Sequence, residues 1–255
     1  MKRSSSSSDA AFRWPEGRRA ALSFSFDDAR ASQVDVGIPI LDRHGVKATF
    51  YVMLYNVEPR LAQWKAALAA GHEIGNHSLR HPCSANFGFA RDSALEDYTL
   101  ADIEAEIVEA NARLQELLGQ TPRTFAYPCG QTFVGRGAGC ASYVPVVARH
   151  FLAGRGFLSE PFNNPALCDL AQLCGAPSDD LSFAELRRRT EAILAEGGWL
   201  IFCGHEVGQT GGQTTRSEAL EEFCAYVTDP ARGLWVDTVA AVAEYVRDQR
   251  GKAND

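Results

Sequence analysis

Ala20-Ala21-Leu22-Ser23-Phe24-Ser25-Phe26-Asp27-Asp28 is an apolar run, interleaved with serine, that ends on two carboxylates. Its apolar part reads as a buried β-strand. Two adjacent carboxylates at the end of a buried strand are costly unless something positive meets them. An exposed turn, which aspartate favours, is the alternative, but Phe24-Ser25-Phe26 argues against a wholly exposed one. Neighbours on a strand point to opposite sides, so the two carboxylates have different jobs. From this strand the chain alternates. Residues 34–44 read as a helix stopped by Gly45, with Pro39 inside to kink it or start its regular part. Residues 48–52 form a second strand, 61–70 a helix ended by Gly71, and 73–76 a third strand. Residues 83–98, rich in Ser, Asn, Gly and aromatics, read as a long loop. Thr99 caps a helix that carries Leu100, Ile103, Ile107, Leu114 and Leu117 on one face. Glu104, Glu106 and Glu109 are its polar residues and Gly119 its stop.

Residues 124–127 read as a fourth strand, 143–148 as a short helix, and 151–153 as a fifth strand ending near Arg155. A second long loop covers 156–180. Ser182 and Glu185 make a capping-box pattern that opens a helix to Glu196. Residues 199–203 are a buried strand with His205 just beyond it. A helix over 218–227, a strand over 234–236 and a helix over 238–247 complete the chain, with no internal repeat. Strand, helix, strand, helix in this order implies α/β architecture, parallel strands joined by crossover helices.

The third strand delivers Gly75-Asn76-His77-Ser78-Leu79-Arg80-His81-Pro82. Gly75 and Pro82 discourage a long helix through it. One compact turn points both imidazoles the same way, a half-site for a borderline cation such as zinc. Two polar loop histidines share the same spacing. Asp27, Asp28, His77, His81 and His205 all follow strand ends, and in a (β/α) barrel that rim carries the chemistry. His44, His72 and His150 sit at element ends and read as helix C-terminal residues, where a cation is favourable. Cys203 reads as part of the barrel wall.

The chain has 255 residues, 45% hydrophobic and 22% charged, an ordinary soluble composition for one large domain. Its net charge of −7 argues against nucleic acid as a partner. No apolar run reaches membrane-spanning length. Met1-Lys2-Arg3 is followed by five serines and no apolar core. Residues 1–18 therefore read as a disordered tail, not a secretory signal. Seven cysteines without framework spacing suit reduced thiols in a cytoplasmic protein, with Cys168 and Cys174 a possible pair on export.

Together these stretches resemble the polysaccharide deacetylase family, the carbohydrate esterase group with the nodulation-factor deacetylase homology domain. The resemblance runs from about Ala20 to the last helix. It rests on Ser25-Phe26-Asp27-Asp28, on His77-Ser78-Leu79-Arg80-His81, on Phe125-Ala126-Tyr127-Pro128-Cys129-Gly130, and on Leu200-Ile201-Phe202-Cys203-Gly204-His205. It implies a distorted (β/α) barrel with fewer than eight parallel strands, as a single catalytic domain over 19–250. It also implies a divalent metal, usually zinc, on Asp28, His77 and His81, with Asp27 as general base and His205 as general acid. The Cys129 N–H would serve the oxyanion, with Tyr127 and Arg155 as substrate-binding or supporting residues. Four departures stand out. Ala29 replaces a common glycine, Ala126 replaces the arginine that orients the base, Cys129 replaces the aromatic residue whose backbone N–H serves the oxyanion, and the motif that sets an Asp and a Trp beside the acid histidine has no clear match. Arg155, at the end of the fifth strand, is the candidate replacement arginine; an ordinary surface arginine is the alternative.

One carboxylate and two imidazoles leave positions open on zinc, as catalysis requires, and no G-x-S-x-G elbow is present. The implied reaction is metal-dependent hydrolysis of N- or O-linked acetyl groups on a carbohydrate, with an acetylated glycan as partner. A barrel amidase acting on a small non-sugar amide, with or without metal, is the alternative, and an inactive carbohydrate-binding module the second.

Overall fold

In the computed structural model, which describes residues 12–159 and 162–252, the opening run is strand β1 (Ala20–Asp27), buried along its whole length. Its serines are tolerated because each finds a partner. Ser25 Oγ donates to the Phe202 carbonyl at 2.7 Å, and Ser23 Oγ accepts from Trp199 Nε1 at 3.0 Å. The other strands on the path of the β1 sheet are β2 (Thr49–Val52), β3 (Glu73–Asn76), β4 (Thr124–Ala126), β5 (Ala153–Arg155), β6 (Ala176–Pro177) and β7 (Trp199–Gly204). They lie in the order β5-β4-β3-β2-β1-β7-β6, every pairing parallel. A further short strand, β8 (Leu234–Val236), pairs only with Ala20 to Leu22 of β1.

Leu173, just before β6, bridges Arg155 at the end of β5. Gly156 N donates to the Leu173 carbonyl, and Leu173 N to the Gly154 carbonyl, both at 2.8 Å. Residues 173–177 thus touch both edges of the sheet, and the seven strands of the path curl into a distorted barrel. The connections are α1 (Ile38–Arg43), α2 (Leu61–Ala69), α3 (Leu100–Leu118), α4 (Val144–His150), α5 (Phe183–Glu196) and α6 (Ser217–Thr228), with α7 (Val239–Lys252) last. Only β5 and β6 are joined by loop.

Local chemistry sets the helix ends. Pro39 lies in the first turn of α1, so the regular helix starts at Ile38 and not at 34, and Gln33–Gly37 forms a wide π-type turn instead. Thr99 with Asp102, and Ser182 with Glu185, form capping boxes; Gly119 and Gly197 close those helices in the left-handed conformation. The buried stripe of α3 is Ile103, Ile107, Ala110 and Leu114. Leu100, expected on it, is 40% exposed, and Glu106, expected to be solvated, is buried.

The expected tail needs correction at its end. Residues 1–11 lie outside the described residues, but Phe12 and Trp14 are packed. Trp14 Nε1 donates to the Gly197 carbonyl at 2.9 Å, and its ring meets Phe12, Trp235 and Tyr245. These rings cover an apolar cluster of Ala21, Trp199, Val239 and Val242, surface that water would otherwise contact. No helix among the described residues is long and apolar enough to cross a membrane.

Candidate active site

The C-terminal ends of the strands open on a cavity of about 880 Å³, lined by Asp27, Asp28, His77, His81, Cys129 and His205 among others. Asp27 is the last residue of β1. Asp28 follows at φ 76, and Ala29 at φ 56. His81 and Cys129 also adopt left-handed backbone, at φ 54 and 53. Such conformers cost non-glycine residues on the order of 1–3 kcal/mol each and gather at functional sites.

Three donor atoms converge. Asp28 Oδ1 lies 3.6 Å from His77 Nε2 and 3.8 Å from His81 Nε2, and one donor from each residue falls within 4.8 Å of the others. Donors around a tetrahedral zinc with bonds of about 2.0–2.1 Å lie about 3.3 Å apart, so the two Asp28–histidine distances stand within a few tenths of an ångström of that spacing. The orientations suit a cation. His77 Nδ1 donates to the Ala126 carbonyl at 2.9 Å, which leaves Nε2 its lone pair. Arg30 holds Asp28 by Oδ2, at 2.9 and 3.1 Å, and Oδ1 faces the imidazoles. Burial works against the Asp28 carboxylate, but His77, His81, His205 and Arg30 hold its pKa below the ordinary value. Burial and the neighbouring His77 push His81 down to about 4, so its ring is neutral, as a ligand must be.

Asp27 turns away from that group. Its Oδ1 meets the guanidinium of Arg155, which is fully buried, stacked 4.9 Å from the Tyr51 ring centroid and donating to the Gly156 carbonyl at 3.1 Å. Arg155 is therefore not an ordinary surface arginine. Gly175 makes room for it: a Cβ there would fall 2.7 Å from Arg155 Cδ and 2.5 Å from Cys203 Sγ.

His205, expected to lack an acidic partner, has one. Its Nδ1 lies 2.6 Å from Asp179 Oδ2, and its backbone N–H donates to Asp179 Oδ1 at 3.1 Å. Thr215 Oγ1 donates to the same Oδ1 at 3.1 Å, and a Cβ on Gly204 would fall 2.5 Å from that hydroxyl. Phe157 meets the imidazole edge-on at 5.9 Å between ring centroids. Burial alone would depress the His205 pKa; Asp179 together with the charges of Asp27 and Asp28 raises it above the ordinary value.

Of the two roles expected for Tyr127, substrate binding or support, its side chain does not fit the first. Its side chain is buried among Phe125 and Tyr143, with its hydroxyl on the Ala171 carbonyl at 2.7 Å. A phenol ring with a satisfied hydroxyl belongs in such a core, and it does not line the cavity. Its backbone N–H donates to the Arg155 carbonyl at 3.0 Å. His72 is corrected as well. It is buried, its Nδ1 accepts from Ala48 N at 3.1 Å, and burial depresses its pKa; it is a core histidine and not a cation at a helix end. Cys203 lies in the wall, as expected.

Three supports were not foreseen. Gln33 Nε2 donates to the Asp27 carbonyl at 2.6 Å and to the His205 carbonyl at 2.8 Å, tying two strand ends together. Glu106 accepts from Arg80 N at 2.6 Å, from its guanidinium at 2.8 and 3.0 Å, and from Tyr98 Oη at 2.9 Å, which pins the turn between His77 and His81. Arg30 is the third; a cation two positions beyond the carboxylate pair was its only sequence signal.

The family model for polysaccharide deacetylase matches residues 14–134. The peptidoglycan-N-acetylglucosamine deacetylase PgdA of Listeria monocytogenes is 31% identical over 110 residues, 43% of this chain and 21% of that protein. Among solved structures, one from Mycobacterium smegmatis assigned to the polysaccharide deacetylases aligns with a TM-score of 0.70 over 94% of both chains, at 20% identity. A family 4 acetyl xylan esterase from Clostridium thermocellum, in complex with a cobalt ion, aligns with a TM-score of 0.56 at 20% identity, over 87% of this chain and 89% of that one. Over residues 14–134 the chain matches the polysaccharide deacetylase model, and its barrel has the fold of solved structures assigned to that family.

Proposed function

We propose that the chain hydrolyses N- or O-linked acetyl groups on a carbohydrate, with a divalent cation, most simply zinc, held by Asp28, His77 and His81. The observation that carries this reading is the convergence of one carboxylate oxygen and two imidazole nitrogens at the cavity shared by Asp27 and His205. The acetyl xylan esterase of the same fold was solved with cobalt, which supports a divalent ion. Bound there, the cation supplies Lewis acidity to the acetyl carbonyl and lowers the pKa of the attacking water.

The remaining steps belong to the chain. Asp27, oriented by Arg155, takes the proton from water. The Cys129 N–H is the donor for the developing oxyanion, a role its side chain does not affect. His205, its pKa raised and its ring oriented by Asp179, delivers a proton to the leaving amine or alcohol. Tyr55, Phe87 and Phe89 line the cavity and expose their rings. Such apolar faces suit the C–H faces of sugar rings better than a small polar amide.

The test is acetate release from N-acetyl and O-acetyl glycans. Exhaustive chelation should abolish it and zinc restore it. Full activity in verified metal-free protein would sink the metal assignment. Turnover of small amides, with none of any glycan, would replace the carbohydrate reading by the amidase one.

A further inference from the structure

His81 presents both ring nitrogens to possible ligand partners. Nε2 faces Asp28 Oδ1 at 3.8 Å, while Nδ1 lies 3.5 Å from Cys83 Sγ. Cys129 completes a second group: one donor atom each from His81, Cys83 and Cys129 falls within 4.8 Å of the others. Cys83 is buried and Cys129 lines the cavity, and neither forms a disulfide. Their backbones are fixed independently. The Cys83 carbonyl accepts from Leu95 N at 2.9 Å, and Cys129 sits in the turn after β4 with φ 53. The proposed deacetylation uses neither sulfur.

We infer that His81, Cys83 and Cys129 form a second cation site, of one imidazole and two thiolates, selective for soft cations. Thiolate sulfur favours soft ions, whereas the carboxylate and imidazoles of the first group suit a borderline ion. With metal–sulfur bonds of about 2.3 Å and metal–nitrogen bonds of about 2.0–2.1 Å, neighbouring S and N donors of a tetrahedral ion lie about 3.6 Å apart. The observed sulfur–nitrogen distance is 3.5 Å. Binding releases one proton from each thiol, and Cys129 leaves the ion reachable from the cavity.

Sharing His81 has a consequence. A neutral imidazole has one lone pair. An ion on Nδ1 leaves Nε2 protonated and withdraws that ring from the Asp28–His77 group. A soft cation would thus disable the first site without touching Asp27 or His205. The second site itself rests on the positions of three side chains and not on the deacetylase reading.

The probe is cadmium, added to reduced, metal-stripped protein and followed by near-ultraviolet thiolate-to-metal charge transfer. The band should saturate at about one equivalent per chain. Cys83→Ser and Cys129→Ser should each remove most of it and weaken binding by at least about 100-fold, while Asp28→Asn should keep it. Thermal unfolding of the serine variants checks that they fold. Cadmium-113 resonance of the unaltered protein, which separates sulfur from oxygen and nitrogen ligation, needs no variant. Ligation by oxygen and nitrogen alone, or an undiminished band in folded Cys83→Ser, would overturn the inference.

Discussion

Asp27 and Asp28 are neighbours of one chemical type, yet they meet different partners. Asp27 ends a strand against Arg155; Asp28 leaves the strand at φ 76 and faces two imidazoles. Asn is nearly isosteric but neutral. Asp27→Asn should therefore retain zinc and lose on the order of 100-fold or more in acetate release. Asp28→Asn should lose zinc affinity, with partial rescue by excess zinc. Metal content and turnover, measured side by side, decide: the reverse pattern would exchange the two roles. Asp179 makes a second case. With the His205 pKa raised by Asp179, Asp27 and Asp28, the imidazolium persists above the ordinary histidine range, and kcat/KM falls as pH rises through that raised value. Asp179→Asn should move this alkaline limb to lower pH by on the order of one unit; an unmoved limb would remove Asp179 from the acid. The aspartate pair and the two loop histidines were legible because each set is local in sequence and sits at a strand end. Asp179 was not, since it lies in an aperiodic stretch and its partner is 26 positions away. Gln33 carries no local signal at all.

Elements with their own punctuation were readable, and those defined by their neighbours were not. The capping boxes of α3 and α5 and the glycines that close them are local chemistry. Strand β6 is two residues long and exists because β7 pairs with it. Helix α3 shows both sides. Periodicity found Ile103, Ile107 and Leu114, but a charged residue among them reads as solvent-facing. Glu106 is buried because the turn that carries the histidines brings Arg80 and Tyr98 onto it. The helix thus acts on the site through one carboxylate. Glu106→Leu keeps the volume but strands the Arg80 N–H. It should destabilise the fold by about 1–3 kcal/mol and, by loosening the turn, weaken zinc by about 10–100-fold. Denaturant titration and metal affinity measure the two effects. Unchanged zinc affinity in a destabilised variant would make Glu106 a folding residue alone.

At the scale of the molecule, the barrel is held from below by a carboxyl. Glu73 begins β3 and accepts from Thr49 on β2 at 2.7 Å, from Thr124 on β4 at 2.5 Å, and from Ala240 N in α7 at 2.9 Å. Burial raises its pKa, and these hydrogen bonds only partly offset the rise. The sign of the linkage follows. Below the ordinary glutamate value Glu73 is protonated in both folded and unfolded chains and carries no charge burial. As pH rises through the raised folded value, the unfolded chain has already lost its proton and the folded one must bury a charge, so stability falls. Gln preserves the shape, its oxygen able to accept from Thr49 and Ala240 and its amide to donate to Thr124, but it cannot ionise. Other titrating groups are common to both proteins and cancel in the difference. The stability of Glu73→Gln relative to the parent chain should therefore rise between about pH 5 and about pH 8. Denaturant unfolding of both proteins at the two pH values measures it; a difference that stays constant, or that moves the other way, would mean that Glu73 holds the strands as an unperturbed carboxylate.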